Sequence, residues 1–194
     1  MFIDYLTLIM INMVAGTALL AYYLWRGIDE VDQRPYAAAF FGVGLLSLIT
    51  GLQLSFTWPL PGSYNVGYGD ATTLFGIVFL TTALALWQGW SLIPVAIYAL
   101  FAGIDAIIVG LRIFSLQLTK EPLVSAVGFV LAGLGGLGAA PFFLWFRNNR
   151  TVRLLAVGLL VVTSLIWAVT FYGSLWGHLE SFSKWVPATM GAGK

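Results

Sequence analysis

Apolar runs long enough to cross a bilayer occupy nearly all of this 194-residue sequence, and they fix what it can fold into. Crossing about 30 Å of hydrocarbon takes roughly 20 helical residues, and lipid cannot satisfy backbone groups left outside a helix. Six stretches qualify, near residues 3–25, 35–58, 71–90, 92–116, 122–146 and 154–177. They predict an all-α transmembrane bundle with short loops, a single integral membrane domain over residues 1–194. Asp29, Glu30 and Asp32 mark the first break, Pro59 and Pro61 the second, Lys120-Glu121-Pro122 the fourth and Arg147-Asn148-Asn149-Arg150 the fifth. The third rests on Gln88, Gly89, Ser91 and Pro94, so helices three and four must meet in a tight hairpin. Leu74 to Trp87 aligns with Leu154 to Trp167 on Leu, Leu and Trp, as a three-plus-three inverted repeat would.

Composition removes most chemistry. Charged residues make up 9% of the chain and the formal net charge is +1, leaving no basic face for nucleic acid. Cys is absent and His occurs once, so disulfides, iron–sulfur clusters, c-type haem and Cys/His zinc sites have no ligands, and no cofactor is expected. Lys120, Lys184 and Lys194 all fall outside the spans, which excludes a retinal Schiff base. No loop is long enough for a nucleotide-binding fold. The first span, with no Lys or Arg before it, reads as a retained helix rather than a signal peptide. Arg26 and Arg34 lie in the first loop and Arg147, Arg150 and Arg153 at the fifth, which places both termini outside the plasma membrane. Trp25, Trp58, Trp87, Trp90, Trp145 and Trp176 fall near helix ends, where an interfacial aromatic belt belongs.

Asp105 is the polar residue that most needs explaining, because an ionised carboxylate in mid-membrane costs about 2.5–3.5 kcal/mol on insertion scales. Tyr98 and Arg112 lie seven residues to either side, on the same helical stripe, and Arg112 is placed to pair with Asp105 directly or through water. Ser47, Thr50, Gln53 and Thr57 line one side of helix two, and Thr163, Thr170, Ser174 and His178 one side of helix six. Asn12 lies near the middle of helix one and Asp4 at its outer end. Asp4, Gln53, Asp70, Arg112, His178 and Glu180 all fall in the outer half or at the outer rim. They define either an outward-open polar site ending at Asp105, suited to a small cation or a proton, or a neutralised ion pair among hydroxyls bonded to their own backbone. In helix five, Gly128, Ala132, Gly136 and Ala140 recur every four residues, a small-residue stripe for packing against another helix of the chain, a second copy or another membrane protein.

The stretch from Thr57 to Asp70 reads as a Pro- and Gly-shaped outer loop, with Asp70 capping helix three. Within it Val66-Gly67-Tyr68-Gly69-Asp70 resembles the selectivity filter of potassium channels. Helix two leaves no room for the pore helix such a filter needs, and Asn65 stands where those channels carry Thr, so the match reads as coincidence. Gly67-Tyr68-Gly69-Asp70 also resembles the Gly-x-Gly-Asp motif of intramembrane aspartyl proteases, which would make Asp105 the second carboxylate. Their Tyr-Asp and Pro-Ala-Leu signatures are missing. Trp58-Pro59-Leu60-Pro61-Gly62-Ser63-Tyr64-Asn65, followed by Gly69-Asp70 and Leu74-Phe75-Gly76, resembles a small prokaryotic six-helix membrane family catalogued as a domain of unknown function. That resemblance implies six spans and no assigned activity. The expected function is therefore a small transporter or ion- or proton-conducting protein, with an accessory or scaffolding subunit as the alternative. A potassium-channel-like pore or an aspartyl-type enzyme comes after these.

Overall fold

The computed structural model describes residues 5–60 and 62–183. Six helices, α1 (Tyr5–Trp25), α2 (Arg34–Thr57), α3 (Tyr64–Gln88), α4 (Ile93–Ser115), α5 (Pro122–Pro141) and α6 (Arg150–Ser181), account for nearly all of them, with no strand among the described residues. Each is long and apolar enough to span a membrane, α5 with the π-helical turn Phe142–Phe146 that continues it. The chain is thus a six-span membrane protein in contact with lipid, and Trp87, Trp90, Trp145 and Trp176 are exposed near helix ends, as an aromatic belt requires.

Neighbours in sequence are neighbours in space, and α6 packs back on α1, so the helices close into a ring. Close pairs, α2–α3, α4–α5 and α6–α1, alternate with looser ones, and in the first two the reason is glycine. A Cβ on Gly44 would stand 2.5 Å from the Leu80 nitrogen, and one on Gly76 2.5 Å from the Leu48 nitrogen, so α2 and α3 meet backbone to backbone. Between α4 and α5, a Cβ on Gly103 would stand 2.5 Å from the Gly133 carbonyl oxygen. With no hydrophobic drive between helices in lipid, such close approach is a main source of association.

Two helices depart from their expected bounds. α3 begins at Tyr64, seven residues before position 71, so the presumed outer loop is short and residues 66–70 are helical. Asn65, fully buried, makes this compact: its side chain accepts from the Leu60 nitrogen at 2.9 Å and donates to the Leu60 and Gly62 carbonyls. Gly69 is a contact residue rather than a loop former, since a Cβ there would stand 2.6 Å from Ser55 Oγ on α2. Their peptide groups belong to a helix and cannot form a carbonyl filter, and Asp70 stands beyond the first turn instead of capping α3. α6 extends past both expected limits. The third break is the expected hairpin: Gly89 takes a left-handed conformation (φ 69°), and the Trp90 nitrogen donates to the Ala85 carbonyl at 2.8 Å.

Buried side chains form two layers across the bundle. Tyr23, Ile28, Phe40, Phe79, Leu86 and Phe142 make one, towards the first and third loops; Ile9, Leu54, Tyr68, Ile113, Phe129 and Trp167 are in the other, towards the termini. At the first-loop end, Arg153 pairs with Asp29 at 2.5 Å and Arg147 donates to the Ile28 carbonyl, tying the first and fifth loops together.

Candidate functional site

A cavity of about 150 Å³ lies along the ring, with walls from α1, α3, α4, α5 and α6. Roughly 10–15 Å³ suffices for one water by this measure, so the space takes several waters or one small solute. Small residues on one side, including Ala99, Gly103, Ala132 and Gly136, face aromatic ones on the other, including Tyr68, Phe75 and Phe79. The wall carries no Asp, Glu, Lys, Arg or His. Its hydroxyl groups include those of Thr17 and Thr82, which donate to the Met13 and Val78 carbonyls at 2.7 Å and keep lone pairs free to accept. Trp167 is 3% exposed, and its indole nitrogen has no hydrogen-bond partner among the described residues.

A second, wider space of about 720 Å³ opens between the first and third loops, and Tyr23, Leu92 and Phe143 line both. These three side chains therefore separate the axial cavity from a mouth. Tyr23 is held there: its hydroxyl donates to Gln33 Oε1 at 2.7 Å, and Gln33 Nε2 donates to the Ile28 and Glu30 carbonyls at 3.2 Å. The mouth is polar. Arg34 bonds both carboxylate oxygens of Asp32, at 2.8 and 3.0 Å, and holds that carboxyl below its ordinary range.

The polar residues singled out in the sequence are spread around the bundle. Asn12 donates to the Val43 carbonyl at 2.8 Å and to Ser47 Oγ at 2.7 Å, a buried bolt between α1 and α2. Thr50, Thr57, Thr163 and Thr170 return their hydroxyls to their own helix. Gln53 and Tyr98 are on the outer surface, and the His178 ring packs on Phe182 with centroids 5.3 Å apart. Asp105 and Asp70 come together at the seam of α3 and α4, near enough for one charge to act on the other. Asp70 accepts from Ser55 at 2.9 Å, whereas Asp105 Oδ2 is sealed from solvent without a partner. No ion pair joins Asp105 to Arg112. Arg112 is exposed and reaches Ser115 instead, because a guanidinium two turns nearer the helix end is better hydrated at the interface than drawn inward. None of these seven residues, Asn12, Gln53, Asp70, Tyr98, Asp105, Arg112 and His178, lines the axial cavity.

The helix-five stripe serves several neighbours. Gly128 faces Trp167 of α6, Ala132 lines the cavity, Gly136 packs on Ala99 and Gly103 of α4, and Ala140 is buried. Asp4, Pro61, Lys184 and Lys194 lie outside the described residues.

A ring of six spanning helices around an axial cavity defines a polytopic membrane bundle with room for a small guest. The chain belongs to the family described as Protein of unknown function (DUF981), which matches residues 1–181. Its fold is similar to that in the crystal structure of the urea channel from the human gastric pathogen Helicobacter pylori, with a TM-score of 0.66 at 18% identity, covering 93% of this chain and 99% of that one. Comparison with curated proteins gives no match.

Proposed function

We propose that the chain is a membrane channel for small uncharged solutes, that the axial cavity is its conduit, and that both termini lie outside. The observation that carries this reading is a cavity on the ring axis, with no Asp, Glu, Lys, Arg or His in its wall and set behind a polar mouth. An ion would have to shed water against aromatic and aliphatic walls with no charge or ring of carbonyls to replace it. A small neutral solute forfeits far less. The fold shared with a urea channel points to urea and related amides as the first solutes to test.

The test is solute entry into proteoliposomes, followed by light scattering after an osmotic step. Urea and acetamide are expected to enter at least tenfold faster than into protein-free vesicles, with potassium, sodium and proton fluxes unchanged. Folded protein that passes no solute would overturn the proposal in favour of an accessory subunit. An ion flux abolished by Asp105→Asn would move the pathway to the α3–α4 seam. Orientation is separately testable because the chain has no cysteine: Ser183→Cys should react with an impermeant maleimide on intact cells and Ser91→Cys only after lysis. The reverse pattern refutes the orientation.

A further inference from the structure

We infer that Trp167 is the specificity-determining donor of the conduit, its indole N–H binding the carbonyl oxygen of a small amide; this rests on the channel reading above. Trp167 stands mid-way along α6, lines the cavity, and is almost wholly buried. Its N–H has no acceptor among the described residues, an arrangement that forfeits the hydration of a polar group unless a guest supplies the missing bond. The ring is fixed in place. It packs edge to face on Phe129, centroids 5.2 Å apart, and Phe129 packs likewise on Tyr68 at 5.4 Å. On the Gly128 side a Cβ would stand 3.3 Å from the indole Cε2, the atom bonded to the nitrogen.

The other aromatic hydroxyls of the wall have polar neighbours. Tyr23 donates to Gln33, and the Tyr68 hydroxyl lies against Ser125. Thr17 and Thr82 spend their protons on their own helices and present oxygen lone pairs. A buried indole donor with hydroxyl oxygens in an otherwise apolar bore complements a molecule that carries one carbonyl and one or two amino groups. A site built to satisfy such groups discriminates against analogues that pair poorly, since its own polar atom is then left unpaired.

Two measurements test the assignment, both as rates above protein-free vesicles. In the unaltered protein, acetamide should enter about tenfold faster than thioacetamide, a near-isostere whose sulfur is the weaker acceptor. In Trp167→Phe, which keeps an aromatic ring and removes the N–H, acetamide and urea entry should fall about tenfold while water permeability changes less than twofold. Gly128→Ala, which retains the N–H but presses on the indole, should give a smaller loss of the same kind. Equal entry of acetamide and thioacetamide, or water and amides falling together in Trp167→Phe, would overturn the donor role and leave the channel standing. No amide entry through the unaltered protein would sink the channel reading and this inference with it.

Discussion

Asp105 separates two roles that a membrane-depth carboxylate can have. A carboxylate that serves transport faces an aqueous path or a partner, and a structural one is bonded. Asp105 stands half-buried beside Asp70 with one oxygen unbonded, away from the cavity. Replacing an unsatisfied buried polar group by an apolar one of similar shape is neutral or stabilising, by about 1–3 kcal/mol where the whole desolvation penalty is recovered. Asp105→Leu is therefore expected to raise the thermal midpoint in detergent while amide entry stays within twofold of the unaltered protein. A lowered midpoint, or loss of entry, would show that Asp105 has a role that the α3–α4 seam does not reveal. Asn12 contrasts with it. Both its bonds are satisfied between α1 and α2, so a polar residue at comparable depth is part of the packing.

At the scale of the helix, glycine carries the architecture. Gly103 meets the backbone of α5 at Gly133 and Leu137, with no flexible side chain to move aside. Gly103→Leu must drive α4 and α5 apart, and overpacking of this kind costs at least about 1–3 kcal/mol even where a core can adjust. The variant is expected to lose its monodisperse peak in size-exclusion chromatography, whereas Gly158→Leu, with nothing within 4 Å of its Cβ, should keep it. Equal behaviour of the two would refute the close-contact account. Glycine also explains which parts of the fold were legible. Hydropathy located all six spans because each is a long apolar run bounded by charge or proline, and the Gln88–Gly89 hairpin announced itself through composition. The start of α3 did not, because Gly67 and Gly69 read as loop residues when their neighbours are unknown. Gly69 lets Ser55 approach, and that contact exists only once α2 and α3 are paired. The same limit applies to Asp105 and Arg112: helical periodicity puts them on one stripe, but the hydration that draws Arg112 outward is not written in the spacing. The cavity wall was illegible for a further reason, since Ala, Phe and Leu facing a void look the same in sequence as Ala, Phe and Leu facing a neighbour. One trace was available. Six tryptophans sit near helix ends, while Trp167 stands mid-span where no interface explains it.

Taken as one object, the ring places two spaces in series, about 150 Å³ on the axis and about 720 Å³ at the mouth, divided by Tyr23, Leu92 and Phe143. Conduction through the axis then requires this partition to pass the solute, and the size of what it passes should be set by the side chain that is most firmly held. Tyr23 is that side chain. It is 1% exposed, its ring stands edge to face on Phe40 at 5.7 Å and on Tyr36 at 5.4 Å, and its hydroxyl is tied to Gln33. Tyr23→Ala would join the spaces, but truncating a buried aromatic costs about 3–5 kcal/mol, so Tyr23→Leu is the companion that keeps the layer filled. Both are expected to speed butyramide entry more than acetamide entry, lowering the size selectivity several-fold, and Tyr23→Phe, which only cuts the Gln33 bond, should shift it less. Unchanged selectivity in all three variants would place the limiting barrier elsewhere, and the layer of Tyr68, Phe129 and Trp167 towards the termini would be the next to open.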